Sequence, residues 1–156
     1  MPPALDLSLD LSLDAAALTA AICDIPSVSQ DEGALADALE QVLRALPQLT
    51  VTRIGHTLVA RTSLGRAERV VLAGHIDTVP LTAEPANLPT KRVGEGAGEV
   101  LWGRGTVDMK NMAAMSAMVT DVVARNPSIR SPPTWAAISC MISLSAIRSA
   151  TSSPIE

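Results

Sequence analysis

Apolar residues recur every three to four positions in two stretches near the amino terminus, and each stretch predicts a helix. The first begins after Asp14 (AAALTAAIC) and ends at Pro26, which cannot continue a helix. The second follows Ser29 and Glu32, whose spacing is typical of a capping box, in which each side chain satisfies a backbone N–H at the helix start. Its apolar face consists of Leu35, Leu39, Val42, Leu43 and Leu46.

A third helix is predicted from Asp108 to Arg125, where an Asn-Pro pair follows. The positions related by helical spacing are Met109, Met112, Met115, Ser116, Val119 and Val123. We interpret the three methionines as core packing rather than as cofactor contacts, because flexible thioethers fill irregular gaps in apolar interiors.

The middle of the chain carries strand patterns instead. Leu49–Ile54 alternates apolar and polar residues, and His56–Arg61 follows across Gly55, so the two predict a hairpin. The continuous apolar run within Arg69–Ala73 predicts a central strand that is buried on both faces. A further short strand is predicted over Glu99–Trp102.

Helices and strands interleave along the chain, which predicts an α/β fold. The repeat LDLSLDLSLD (residues 5–14) is expected to be a frayed terminus, and the Pro-, Gly- and Ala-rich residues 81–98 are expected to be a loop. Residues 131–156 are rich in serine and keep no helix or strand period. We therefore divide the chain into residues 1–130 and an atypical tail, 131–156, that is out of frame or disordered.

Composition narrows the classes of function. Apolar residues make up 47% of the 156, but Phe and Tyr are absent, so the core must be aliphatic. A net charge of -4 without a Lys/Arg cluster argues against a nucleic-acid partner. No apolar stretch reaches the roughly 18 residues of a membrane helix, and the amino terminus lacks the basic region of a secretory signal. Cys23 and Cys140, isolated from each other, predict reduced thiols in a cytoplasmic protein.

Two motifs carry candidate chemistry. His75 and Asp77 follow the predicted central strand, and ligands of open α/β sheets bind at the carboxyl ends of strands. One ring nitrogen of a histidine commonly binds a transition metal while a carboxylate accepts from the other. Asp108, after Gly103-Arg104-Gly105, has two oxygens that could bridge two metal ions about 3.5–4 Å apart.

Each motif also has a simpler interpretation. A lone histidine after a strand is more often a hydrogen-bonded structural residue, and Asp108 could be a plain helix N-cap. The Gly-Arg-Gly sequence could be only a turn, and it does not fit the G-x-G-x-x-G nucleotide pattern because Asp stands at position 108. His56, beside the hairpin turn, is interpreted as a solvated residue.

The order and spacing of the two motifs resemble a known family, the dinuclear-zinc amidohydrolases and exopeptidases. That family includes succinyl-diaminopimelate desuccinylase, acetylornithine deacetylase, aminoacylase and glutamate carboxypeptidases. LAGHIDTVP and LWGRGTVDMK are similar to its two amino-terminal motifs, PSVSQDE and the hairpin also fit, and the likeness is greatest to the desuccinylases. The resemblance covers residues 18–125 and implies a partial zinc-exopeptidase catalytic domain, a mixed sheet with flanking helices, without the lid and dimerisation domain.

Carried over residue by residue, the resemblance implies that His75 is a terminal zinc ligand, that the catalytic Asp77 orients it, and that Asp108 bridges two zinc ions. It also implies a cis peptide bond between Asp108 and Met109. The family further uses an adjacent Glu-Glu pair, the first a general base, then another acidic ligand and a late histidine. Beyond Asp108 this sequence has only Asp121 and Glu156 as acids and no histidine.

The sequence therefore predicts an amino-terminal fragment of a zinc-dependent amidohydrolase, inactive alone, with cobalt as a possible replacement for zinc. Its intact relative is expected to hydrolyse a small N-acyl amino acid, N-succinyl-LL-2,6-diaminopimelate, in lysine biosynthesis, as a cytoplasmic homodimer. A frameshift or early stop near residue 130 is one hypothesis for the tail. Two alternatives stay open: a non-catalytic remnant or binding module, and another deacylase or exopeptidase of the same family.

Overall fold

In the part of the chain that the structure describes, three helices and six strands interleave, which confirms the α/β prediction. The structure, a computed structural model, describes residues 8–65, 69–84, 86–125 and 137–143. The helices are α1 (Ala15–Asp24), α2 (Gly33–Arg44) and α3 (Lys110–Arg125). The strands are β1 (Leu49–Ile54), β2 (Thr57–Thr62), β3 (Arg69–His75), β4 (Lys91–Val93), β5 (Val100–Trp102) and β6 (Ala137–Ser143), with a 3-10 turn at Gly96–Gly98.

The first two helices form as predicted, but the start of α2 differs. Asp14 caps α1, and its carboxylate accepts a hydrogen bond from the Ala17 N–H at 2.8 Å. The Ser29 capping box is wrong: α2 begins at Gly33, and Ser29 lies outside it. Glu32 accepts instead from the backbone N–H of Gln30 at 2.6 Å. The predicted apolar face of α2 is confirmed, because Leu35, Leu39, Leu43 and Leu46 are buried and Val42 packs against them.

The main sheet has the strand order β1-β2-β6-β3. β1 and β2 form the predicted antiparallel hairpin around Gly55, whose φ of 60° suits glycine. The prediction that β3 is a central strand buried on both faces is wrong for the sheet that the structure describes. There β3 lies at an edge, and Val70 and Val71, which point to opposite faces, are 49% and 56% exposed. The apolar run therefore forms a strand, but the described elements around it do not cover its two faces.

A strand also forms within the predicted atypical tail. β6 pairs antiparallel with β2 and parallel with β3, so it joins the hairpin to the strand that ends at His75. The strand is not evident from the sequence because serine interrupts its apolar pattern. The rest of the tail, residues 131–136 and 144–156, lies outside the described residues, as does the division near residue 130.

The buried face of α3 is built mainly from small residues. Ala113, Ala114 and Ala117 are at most 1% exposed. Met115 is 46% exposed, so the interpretation of the methionines as core is wrong for that residue, whereas Met109 and Met112 are half-buried. Alanine side chains let α3 pack closely against α1, which also contributes Leu18 to the core.

Two predicted irregular segments contain structure. Leu9 and Leu11 are buried in the core, so the frayed-terminus prediction is wrong there. The free energy gained by burying two leucines exceeds the conformational entropy lost by ordering this short segment. The predicted loop 81–98 contains β4, which pairs antiparallel with β5. No helix among the described residues has the length and apolarity that crossing a bilayer requires.

Candidate metal centre

The end of β3 presents a histidine whose orientation is set by the next carboxylate. The Nδ1 atom of His75 lies 3.1 Å from Asp77 Oδ1 and also 3.1 Å from the Asp77 carbonyl oxygen. Both acceptors face the same ring nitrogen, so Nδ1 is the nitrogen that carries a proton and Nε2 is the one available to bind a metal. The side chain of His75 is 24% exposed and that of Asp77 is 10% exposed. The arrangement suits the ligand and orienting roles that the sequence predicts for the two residues.

Ser29, which the sequence pattern did not identify as a site residue, extends this arrangement. Its hydroxyl donates to Asp77 Oδ2 at 2.7 Å, so the two oxygens of that carboxylate have different partners. The position of Ser29 is set by a short parallel bridge: its N–H donates to the Thr78 carbonyl at 3.0 Å, and the Thr78 N–H donates to the Ser27 carbonyl at 2.9 Å. The sequence offered a serine near an acidic pair, but that pattern was assigned to a helix cap.

Asp108 lies on the other side of the imidazole. Its Oδ1 atom is 3.1 Å from His75 Nε2, and its side chain is 86% exposed. The segment from Gly103 to Lys110 brings it there, and the Asp108–Met109 peptide bond is cis, as the resemblance implied. The structure therefore brings together the three residues that the sequence singled out.

These residues line a cavity of about 680 Å³. The wall of the cavity also includes Trp102 and Arg104. With its side-chain oxygen turned toward Arg104, Asn87 accepts from Arg104 Nε at 3.0 Å and from the Thr82 hydroxyl at 2.9 Å. The Arg104 N–H also donates to the Asn87 carbonyl at 3.0 Å. A guanidinium is thus fixed in the wall of the cavity that His75 enters.

The donors fit part of a zinc site. An imidazole nitrogen and a carboxylate oxygen are ordinary zinc ligands, and the Asp77 carboxylate behind the imidazole is the usual outer partner. Catalytic zinc generally has about three protein ligands. Within the described ranges, no three His, Cys, Asp or Glu side chains form a metal-binding group. Asp121, one of the two later acids, lies on α3 with its carboxylate 2.5 Å from Arg125 Nε.

The register of β6 defines what lies next to the histidine in the sheet. Parallel pairing sets Ser143 opposite His75, so both strands end at the same edge. The resembled family has a Glu-Glu pair on a neighbouring strand, whereas residues 137–143 read AISCMIS and contain no acid. β6 therefore adds a strand at this edge without adding a carboxylate.

Two buried groups where α1 meets α3 have shifted pKa values. Burial lowers the pKa of Lys110 to about 8, and burial raises the pKa of the Cys23 thiol to about 11.

His56, the other histidine, is half-buried beside Gly33 rather than solvated as predicted, and its Nδ1 has no hydrogen-bond partner among the described residues.

Comparison with known sequences agrees with the family resemblance of the two motifs. Residues 71–130 match the family described as peptidase family M20/M25/M40. Over 134 residues the chain is 41% identical to succinyl-diaminopimelate desuccinylase of Corynebacterium glutamicum, a match that covers 85% of this chain and 34% of that protein. It is 35% identical over 123 residues to the enzyme of the same name from Cereibacter sphaeroides, covering 75% and 32%. The chain thus spans about a third of the length of these relatives.

Solved structures agree on the fold. A tripeptidase from Staphylococcus aureus superposes with a TM-score of 0.63 at 19% identity, covering 87% of this chain and 37% of that one. An aminopeptidase from Bacillus cereus gives a TM-score of 0.62 at 15% identity, with the same coverage. At this identity the likeness concerns the fold, and it matches the partial catalytic domain that the sequence predicts.

Proposed function

The chain belongs to peptidase family M20/M25/M40, and from that premise we propose that it is part of a metal-dependent hydrolase of the succinyl-diaminopimelate desuccinylase type. The observation that carries the proposal is His75, held between Asp77 and Asp108 at the mouth of the cavity. That pair of contacts gives one ring nitrogen to an orienting carboxylate and aims the other at a second carboxylate, as a metal centre requires.

His75 Nε2 and Asp108 Oδ1 are the atoms that would hold zinc or cobalt, and the bound metal would polarise an amide carbonyl and activate water. Asp77 keeps the proton of the imidazole on Nδ1, so that Nε2 remains a ligand. Ser29 holds the far oxygen of Asp77. In this proposal, the residues of the chain orient the His75 imidazole and hold it beside the exposed Asp108 carboxylate.

The substrate follows from the named relatives rather than from the cavity. We propose N-succinyl-LL-2,6-diaminopimelate, cleaved to succinate and diaminopimelate on the route to lysine, by a cytoplasmic homodimer. Neither nucleic acid nor membrane is part of the proposal. An intact hydrolase needs a general base and further ligands, and the residues after Asp108 contain neither a Glu-Glu pair nor a histidine. We therefore expect this chain alone to turn over its substrate well below the roughly 1 per second of an ordinary enzyme.

The absence of a third donor among the described residues also favours a second candidate, a binding module that keeps one weak metal site. The two candidates differ in whether metal-loaded protein releases succinate. Slow release of succinate by the zinc-loaded chain supports the hydrolase, whereas zinc binding without any release supports the binding module.

The test is a zinc titration of the purified chain, followed by NMR of its imidazoles. The chain contains two histidines, so each spectrum reports the site and an internal reference. We expect zinc to shift the His75 signals and to leave those of His56 unchanged. His75→Ala should abolish the response, and the matched control His56→Ala should preserve it. Zinc binding that survives His75→Ala contradicts the proposed centre.

A further inference from the structure

Lys110 is a lysine that the proposed chemistry does not use and that the fold nevertheless buries. Its side chain is 1% exposed, one of the largest fully buried side chains of the described chain. Its ammonium donates to three backbone carbonyls at the end of α1: Ile25 at 2.6 Å, Ile22 at 3.3 Å and Cys23 at 3.4 Å. Three donors thus have three acceptors, which is the condition under which a buried ammonium is tolerated.

The partner is the carboxyl end of a helix, where unpaired carbonyls and the helix dipole favour a cation. The last turn of α1 has no basic residue of its own. Lys110, the first residue of α3, supplies that cation from another element. The contact therefore joins the start of α3 to the end of α1, and it lies two residues from Asp108.

Glycine makes room for the lysine stem. A Cβ at Gly105 would lie 2.9 Å from Lys110 Cδ and 3.1 Å from Lys110 Cγ, and its φ of 87° also favours glycine. The Lys110 N–H donates to the Gly105 carbonyl at 2.9 Å. The second glycine of the Gly-Arg-Gly sequence thus leaves the space that the Lys110 side chain occupies against the loop backbone.

The other end of the loop is fastened to the same helix end. A Cβ at Gly103 would lie 2.6 Å from Thr90 Cγ2, so loop and threonine are in close contact. The Thr90 N–H donates to Asp24 Oδ1 at 2.6 Å, and Asp24 is the last residue of α1. The carboxyl end of α1 therefore contacts one end of residues 103–110 directly, through Lys110, and the other end indirectly, through Thr90.

Asp108 itself has little to hold it. Its side chain is 86% exposed, and the described partner of its carboxylate is His75. The position of that carboxylate is therefore set by the flanking backbone. On the sheet side, a Cβ at Gly74 would lie 3.0 Å from Met112 Cβ, so the first turn of α3 also touches the strand that ends at His75.

We propose that Lys110 is a positioning residue for the metal centre: by docking the start of α3 on the last carbonyls of α1, it sets the distance between Asp108 and His75. The inference rests on the proposed function for the metal and on the structure for the geometry. It assigns to the lysine of the GRGTVDMK motif the placement of the carboxylate two residues before it.

The experiment uses the full chain and compares Lys110→Met, which keeps the stem and removes the donors, with Lys110→Gln, which keeps two donors. Leu39→Val, in the buried face of α2, serves as a control that loosens the core without touching the loop. Asp108→Asn gives the spectral effect of weakening the carboxylate. Thermal melts identify variants that fold, and Lys110→Gln carries the test if Lys110→Met does not.

The first readout is the metal-free imidazole spectrum. We expect the His75 signals of Lys110→Met to move toward those of Asp108→Asn, with His56 unchanged and Lys110→Gln intermediate. The second is zinc affinity at His75, which we expect to fall about tenfold or more in Lys110→Met, the size typical of lost outer support. Leu39→Val should change neither.

The outcomes separate the two ideas. If His75 of the unsubstituted chain ignores zinc but responds to Asp108→Asn and to the lysine variants, the metal proposal fails and the positioning role stands. If folded Lys110 variants keep the His75 signals and the zinc affinity of the unsubstituted chain, or change them no more than Leu39→Val does, the positioning role is overturned.

Discussion

Replacing Ser29 with alanine removes one hydrogen bond from the chain of contacts that ends at the metal ligand. The hydroxyl donates to Asp77 Oδ2 at 2.7 Å, a hydrogen bond to a charged group, for which the net contribution is roughly 1.5–3 kcal/mol. Ser29 is exposed, so water replaces part of the lost interaction and the low end applies. We expect zinc to bind about 1.5 kcal/mol more weakly, which is roughly tenfold in affinity.

The assay is the zinc titration read at the His75 imidazole, with His56 as the reference within each spectrum. Ser63→Ala, an exposed serine after β2, is the matched control and should leave the affinity unchanged. A double-mutant cycle identifies the route of the effect. If Ser29 acts through the Asp77 carboxylate, Ser29→Ala should have little further effect in an Asp77→Asn background.

Zinc affinity of Ser29→Ala within about twofold of the unsubstituted chain refutes this reasoning, because Asp77 is then oriented without the serine. A tenfold loss that persists undiminished in the Asp77→Asn background also contradicts it, because the serine then acts elsewhere. A rise in affinity is informative as well: it means that the hydroxyl withdraws charge from Asp77 more than it orients the carboxylate.

The remaining predictions concern the core. Leu39→Ala, at a fully buried site on α2, should lower the free energy of unfolding by about 2–5 kcal/mol, whereas Val107→Ala, at a site 83% exposed, should change it by less than about 0.5 kcal/mol, as measured by urea denaturation. Because burial raises the pKa of Cys23 to about 11, its thiol is protonated at pH 8, and peptide mass spectrometry should find it unlabelled by iodoacetamide until urea unfolds the chain; labelling of the folded protein at the rate of a free thiol contradicts this burial.

The elements whose pattern is local were predictable from the sequence. The apolar face of α2 and the β1–β2 hairpin agree with their periodicity because one amphipathic surface and one turn define each. The exposure of β3 was not predictable, since an apolar run does not specify how many neighbours cover it. The alanine face of α3 was missed for a related reason: methionine outranks alanine in hydrophobicity, but close packing against α1 selects the smaller side chain.

The site divides in the same way. The positions of His75, Asp77 and Asp108 could be inferred from motif spacing, because strand ends and helix starts converge at one edge of an α/β sheet. Ser29 and Lys110 could not, because each acts through a contact across at least 48 residues of sequence. Serine before a helix usually caps it, and lysine usually lies on the surface. Both tendencies were overridden by tertiary structure.

Trp102 gives this cavity an optical reporter. The chain contains no tyrosine and two tryptophans, and the second, Trp135, lies outside the described residues. The Trp102 indole, 39% exposed, lines the cavity with the Lys91 ammonium 5.9 Å from its ring centroid. Indole emission depends on nearby charge and solvent. We therefore expect a charged ligand that enters the cavity to change the emission maximum or the intensity of Trp102 fluorescence. With Trp135 replaced, a single intrinsic fluorophore follows occupancy of the site in real time, without a label.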